Sequence, residues 1–230
     1  MNNIPYRILF LGTPAFAVSA FEALLAAGYD LVCVTQPDKP VGRHRDVEES
    51  PVKRAAQQHH VPVLQPKKLD EQFLASLKEF GSFIVGVIVA YGKILRAPML
   101  TVPDHGFLNI HASLLPRHRG ASPIQSAILA GDTETGVTIM RLDEGLDTGP
   151  IVAQQRIPLA GTETAGELFQ RLAPVGAHLL IHTLPSVLDG TASAQPQDIA
   201  NATLTTLFTK NDARLAWKET AQVLERTVRA

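Results

Sequence analysis

Tyr6-Arg7-Ile8-Leu9-Phe10-Leu11-Gly12-Thr13-Pro14 is the stretch on which the fold turns. Its apolar run has no polar alternation, as expected of a strand covered on both faces. An apolar-faced helix follows to about Ala27, with Gly28 placed to cap it. Leu31 to Thr35 reads as a second strand, and Gln36 to Glu49 as a polar loop of mixed charge. Ser50-Pro51 has the form of an N-cap followed by proline at the first helical position, opening a helix to about His59. Val61 to Leu64 is a short strand, Asp70 to Phe80 a helix stopped at Gly81, and Phe83 to Val89 a nearly all-apolar strand. Alternation of this kind predicts an α/β fold with a doubly wound, mostly parallel sheet.

The second half is organised differently. Gly106 to Ile110 reads as a strand and Ala112 to Gly120 as a loop; Ser122-Pro123 repeats the cap-then-proline signal before a helix stopped at Gly131. Thr135 to Leu142 and Ile151 to Ile157 are two further strands around the turn-rich segment Asp143 to Gly149. A long helix is expected from about Thr164 to Leu188, then a tail from Asn201 with a short strand and a final uncapped helix. There are no repeats and no low-complexity segment.

Composition narrows the function classes. The 230 residues are 45% hydrophobic and 19% charged, with a formal net charge of −1, so any grip on nucleic acid must come from a local patch. The single cysteine, Cys33, lies in an apolar run; it excludes an intramolecular disulfide and fits a reducing cytoplasm. No segment approaches the roughly 20 apolar residues of a membrane span, and the N-terminus lacks the regions of a signal peptide. Gly12-Thr13-Pro14 lacks the G-x-G-x-x-G spacing of dinucleotide folds, and Pro14 would remove a phosphate-binding N–H. There is no Walker loop, nucleophile elbow or paired-cysteine metal signature. His59-His60 and His105 read as solvated surface residues.

In Leu108-Asn109-Ile110-His111 the strand period of two puts Asn109 and His111 on one face, where a strand meets a loop. Open α/β sheets bind ligands beyond the carboxyl ends of their strands. Two satisfied polar residues at a strand end are the simpler alternative. Asp143-Glu144-Gly145-Leu146-Asp147-Thr148-Gly149 is a loop in which Asp143 suits an Asx-turn. Asp147 could instead approach His111 and hold its ring; spacing alone does not show that contact.

These runs resemble the folate-dependent formyltransferase family. The resemblance rests on Asn109-Ile110-His111-Ala112-Ser113-Leu114-Leu115-Pro116 and Asp143-x-Gly145-Leu146-Asp147-Thr148-Gly149. Gly12-Thr13-Pro14, Gln36-Pro37-Asp38, Ser50-Pro51-Val52-Lys53, Ala90-Tyr91-Gly92, Arg117-x-Arg119-Gly120 and Gly136-Val137-Thr138 support it, from about Tyr6 to the end of the chain. The Gln-Pro-Asp and Ser-Pro-Val-Lys runs are similar to the members that act on methionyl-tRNA. The family implies a Rossmann-like domain, expected here over residues 1–205, with 206–230 an extension towards a C-terminal β-barrel. It implies catalysis by Asn109, His111 and Asp147, and 10-formyltetrahydrofolate as co-substrate with no metal. Ser113, Leu114, Leu115 and Pro116, with the backbone around Ala90, Tyr91, Gly92, Ile94, Leu95, Leu142, Asp143 and Gly145, would surround the folate. Lys39, Arg43 and Arg45 would approach the tRNA acceptor stem, with assistance from Arg117 and Arg119; a solvated charge run is the simpler reading of that loop. The expected enzyme is a cytoplasmic monomer.

Three departures stand out. His118 occupies a position where the family usually has tryptophan, Gly81-Ser82 stands where a carboxylate often precedes the strand, and the family's β-barrel lies beyond these residues. The expectation is a truncated catalytic domain rather than a natural short form. Formyltransferases acting on amino sugar nucleotides or glycinamide ribonucleotide, and formyltetrahydrofolate hydrolases, would share the same three residues. A non-catalytic folate- or tRNA-binding module would not need them.

Overall fold

The computed structural model describes residues 6–41 and 46–230. Gly42, Arg43, His44 and Arg45 of the basic loop, and the N-terminal residues 1–5, lie outside the described residues. The elements in order are β1 (Arg7–Gly12), α1 (Ala15–Ala26), β2 (Asp30–Val34), β3 (Lys39–Val41), β4 (Asp46–Glu48), α2 (Pro51–Gln58), β5 (Val63–Leu64), α3 (Glu71–Leu77) and β6 (Val85–Val89). They continue as α4 (Ala97–Leu100), β7 (Phe107–His111), β8 (Arg119–Gly120), α5 (Pro123–Ala130), β9 (Glu134–Arg141), β10 (Ile151–Pro158), α6 (Ala165–Leu188), β11 (Leu204–Thr205) and α7 (Ala221–Arg229).

The main sheet runs β10-β9-β7-β6-β1-β2-β5. Its five strands from β7 to β5 are mutually parallel, and β9 and β10 add an antiparallel edge. The chain winds outward from β1 through β2 to β5, returns to β6 on the other side of β1, and continues to β7. The winding direction therefore reverses between β1 and β6, and the crevice beyond their carboxyl ends is where such sheets bind ligands.

Each face of the sheet carries its own apolar layer. One gathers Ile8 and Phe10 of β1, Leu108 and Ile110 of β7, and the inner faces of α1, α2, α5 and α6. The other gathers Leu9, Leu11, Phe107 and Tyr91 against Phe73 and Leu77 of α3 and Met99 of α4. Layers on both sides explain why β1 and β6 read as uninterrupted apolar runs. Cys33 is fully buried, and burial pushes its thiol up to about 12. No helix among the described residues is long and apolar enough to cross a membrane.

Most element boundaries follow the local chemistry anticipated above. Ser50 Oγ accepts from the Lys53 N–H, and Thr164 and Glu167 form a reciprocal capping box at the start of α6. Four points differ. Asp70 to Phe80 is α3 followed by a separate 3-10 turn, Lys78–Phe80. The polar loop contains the β3–β4 ribbon, α4 was not foreseen, and the Ala112 to Gly120 loop contains β8. All of these are two to four residues long, too short to carry a period. Ser122 gives no side-chain cap, because it sits at φ −136°, ψ 56° and not in the extended conformation that aims a capping hydroxyl.

Helix α6 reaches the sheet through Gly176, where an added Cβ would lie 2.8 Å from Ile110 Cγ2 and 3.3 Å from a Val137 methyl. Gly176→Val should force the helix off β7 and cost about 1–3 kcal/mol, lowering Tm by roughly 2–12 °C for a domain of this size. Calorimetry showing an unchanged Tm would contradict this close packing.

Candidate active site

Strand β7 delivers two polar side chains to one place. Phe107 faces the α3 layer, while Leu108 and Ile110 face the α6 layer. By alternation Asn109 and His111 share the Phe107 face, and both are nearly buried, 9% and 6% exposed. Paired with β6 at Ile88↔Asn109, they stand at carboxyl ends one strand from the reversal point.

The loop after β9 brings the carboxylate to them. Its start is held by the Leu142 N–H on the Phe107 carbonyl (2.8 Å). Asp143 Oδ1 accepts from the Gly145 N–H at 3.0 Å and from Thr148 Oγ1 at 2.7 Å, so Asp143 is the Asx-turn residue. At Gly149 a Cβ would collide with the Arg141 carbonyl oxygen, so the sharp return needs glycine. Within this turn Asp147 adopts φ 52°, a left-handed backbone that costs a non-glycine residue of order 1–3 kcal/mol. That conformation turns its side chain inward. Asp147 Oδ1 accepts from Asn109 Nδ2 at 3.3 Å, Oδ2 accepts from the Gly120 N–H at 2.8 Å, and Oδ2 lies 3.5 Å from His111 Nδ1. Three side chains separated in sequence thus converge.

The imidazole is fixed from its far side. His111 Nε2 lies 2.9 Å from the His118 carbonyl oxygen. A carbonyl only accepts, so this contact assigns the proton to Nε2 and leaves Nδ1 as the nitrogen facing Asp147. His118 is where a tryptophan was expected. It sits at φ 59°, and its own ring contacts Asp132 Oδ2 at 2.7 Å beside Arg117, which reaches Oδ1 at 2.6 Å.

The rest of that loop is stitched to the sheet edge. Thr138 Oγ1 donates to the Ser113 carbonyl and accepts from the Leu115 N–H, and Gln154 Nε2 donates to the Leu115 carbonyl. Ser113 is fully buried with its hydroxyl on the Arg117 carbonyl, and Leu115 is buried; Leu114 and Pro116 are half-buried. Arg119, expected to assist at a tRNA surface, is instead buried with its guanidinium on Gln197 Oε1. A phosphate cannot reach it there.

Beyond β6, Ala90 is exposed with φ 47°. The Tyr91 side chain is buried in the α3 layer, where burial, with a smaller contribution from Cys33, pushes its phenol up to about 12. What Tyr91 presents to the crevice is its carbonyl, which accepts from Gln36 Nε2 (2.7 Å) and Thr13 Oγ1 (3.3 Å). Gly92 lies at φ 81°, with Gln36 where a Cβ would stand. Ile94 is exposed and Leu95 buried. Leu142 is half-buried, and Asp143 and Gly145 are exposed. A hollow of about 450 Å³, lined by Lys68, Leu69, Asp70, Lys93, Ile94 and Arg96, contains Ile94 but none of Asn109, His111 and Asp147. The convergence of those three polar groups is the stronger marker of chemistry, because in the hollow Asp70 caps α3 through the Phe73 N–H and Lys93 is taken up by the Pro66 and Lys67 carbonyls.

Of the basic loop, Lys39 is described: Nζ donates to Gln36 Oε1 at 2.8 Å. Two distant runs that carried the resemblance form one anchor beneath it. Lys53 Nζ bridges Asp38 Oδ2 (2.5 Å) and Glu49 Oε1 (2.9 Å), holding both carboxyls below their usual range through the hydrogen bonds it donates.

Sequence reading missed the Gly120 N–H, the His118 carbonyl and Gln197. Gly120 carried a signal, a glycine in a polar loop, and it sits at φ 112° with the Thr205 carbonyl where a Cβ would be. Backbone groups and an isolated glutamine leave no pattern.

The chain was compared with known families, curated proteins and solved structures. A formyl transferase family profile matches residues 6–184. The methionyl-tRNA formyltransferase of Chloroflexus aurantiacus is 49% identical over 225 residues, covering 97% of this chain and 73% of that protein. That of Halorhodospira halophila is 48% identical over 225 residues, covering 97% and 72%. Among solved structures, an N-formyltransferase from Helicobacter canadensis in complex with folinic acid and dTDP-3-aminofucose superposes with a TM-score of 0.75 at 19% identity, covering 97% of this chain and 80% of that one. Glycinamide ribonucleotide transformylase 1 from Symbiobacterium toebii gives 0.69 at 21% identity, covering 86% and 96%. The structural likenesses support the fold, and the sequence likeness goes further: this chain belongs to the formyltransferase family, among the methionyl-tRNA formyltransferases.

Proposed function

We propose that the chain transfers the formyl group of 10-formyltetrahydrofolate to the amino group of methionyl-tRNA, using Asn109, His111 and Asp147. The observation that carries this reading is their convergence, with Asp147 between the amide and the imidazole. The names of its relatives supply the acceptor.

The amine nitrogen attacks the formyl carbon, and the carbonyl oxygen becomes an oxyanion. Asn109 Nδ2 has two hydrogens; one points to Asp147 and the other is available to the oxyanion. With its proton held on Nε2 by the His118 carbonyl, His111 has a single lone pair, on Nδ1, to receive the proton lost by the amine. The imidazolium so formed would face the Asp147 carboxylate. Collapse of the intermediate breaks the carbon–N10 bond, and the same proton returns to N10. The products are tetrahydrofolate and formylated methionyl-tRNA.

The folate is assigned to the crevice between the loops after β6, β7 and β9, with Ala90 to Leu95, Ser113 to Pro116 and Leu142 to Gly145 around it. Support comes from where the winding reverses. Ser113, Tyr91, Leu95 and Leu115, being buried, would act through backbone or as walls. Lys39, Arg43 and Arg45 are assigned to the tRNA acceptor stem. Lys39 lies close enough to Lys93 to add to the burial that lowers the latter's pKa, so the basic character of this rim extends beyond the loop. The reading assigned to the chain is that of a monomer acting in the cytoplasm.

Removing the proton acceptor, His111→Ala, should lower kcat at least about a hundredfold with folate binding retained; Asn109→Ala should cost about 10²–10³, the usual loss of one oxyanion donor. Steady-state formylation with parallel folate titration checks both, and near-normal turnover in either variant would remove that residue from the mechanism. Arg43→Ala should raise KM for methionyl-tRNA several-fold and leave folate affinity unchanged. Equal damage to both would mean that the loop does not read tRNA.

A further inference from the structure

The tail between α6 and α7, beyond the span matched by the family profile, reaches back into the site. Gln197 is buried and uses its whole amide. Its Oε1 accepts from Arg119 Nε (2.9 Å) and Nη2 (2.7 Å), and its Nε2 donates to the carbonyls of Asp147 (2.8 Å) and Gly149 (2.7 Å). The flipped amide would put its oxygen against two carbonyls and its NH₂ against a guanidinium, so the orientation is settled by the partners. Nearby, Thr203 O accepts from the Arg119 N–H, and β11 pairs with β8. That pairing holds Gly120, whose N–H donates to Asp147 Oδ2. The tail therefore holds Asp147 twice, by its backbone through Gln197 and by its carboxylate through β8.

We propose that Gln197 is a positioning residue for formyl transfer: its two donated hydrogen bonds keep Asp147 in the left-handed conformation that aims its carboxylate at Asn109 and His111. A left-handed aspartate persists only where its surroundings over-determine it. The turn at Asp143 and the glycine at 149 shape the loop, but the hydrogen bonds of that turn go to Gly145 and Thr148. Gln197 grips Asp147 by the carbonyl and, through Arg119, ties that grip to the strand carrying Gly120. A carboxylate at this position would keep the acceptor for Arg119 and lose both donors to the loop. Gln197→Glu thus separates aim from folding, because the buried Arg119 gains a counter-charge. Gln197→Leu removes all four bonds and is the harsher companion.

This inference rests on the catalytic reading of Asp147, and the test keeps the two apart. Single-turnover formylation, with enzyme in excess, is measured for the wild type, Gln197→Glu, Asp147→Asn and the double variant, alongside their thermal melts. The expected result is a fall of at least about tenfold for Gln197→Glu with Tm retained, and a double variant no slower than Asp147→Asn, since residues acting as one unit are non-additive. Losses that multiply in the double variant would show a merely structural role and overturn the proposal. So would a wild-type rate in Gln197→Glu while Asp147→Asn is impaired, and that result would leave the catalytic reading standing. A wild-type rate in Asp147→Asn would overturn both.

Discussion

The Asp147 carboxylate receives a backbone N–H from Gly120 and a side-chain amide from Asn109, and lies beside the His111 imidazole. The neighbours come from two segments, the end of β7 and the two-residue strand β8, and Asp147 from a third, the turn after β9. A nearly buried carboxylate is costly unless hydrogen-bonded, so its place here depends on the donors that these segments supply. Asp147 meets these neighbours from a left-handed backbone, at φ 52°.

The surrounding architecture is the support for that contact. The apolar layers on both faces immobilise β7, and the seam between Gly176 and Ile110 brings α6 directly onto it. The antiparallel β9 pairs Thr138 with His111 and Arg141 with Leu108, so the loop that follows it begins beside the strand that supplies Asn109 and His111. Loops carry chemistry well when a rigid scaffold sets their ends. Here the scaffold also orients the imidazole, since the His118 carbonyl claims Nε2 and leaves Nδ1 facing Asp147.

Much of this was legible in the residues themselves. The parallel sheet followed from apolar runs between capped helices, and the Asn109–His111 face from the strand period. The Asx-turn role of Asp143 followed from side-chain reach. What the sequence could not reveal were interactions without a period. Arg119 looked like a surface cation and is buried on an amide, and nothing in the sequence marked the Tyr91 carbonyl as the acceptor for Gln36. Two runs far apart in sequence, around Asp38 and Lys53, turned out to form one ion-pair anchor. Backbone donors such as the Gly120 N–H are invisible because every residue but proline has one.

The charge on Asp147 is where the account is most exposed. In the wild type and Asp147→Asn, single-turnover formylation of methionyl-tRNA at saturating 10-formyltetrahydrofolate isolates the chemical step from binding. Asparagine preserves the shape but leaves the protonated imidazole without its counter-charge, and the rate is predicted to fall at least about a hundredfold while folate still binds. An unchanged rate would show that formyl transfer does not pass through this carboxylate.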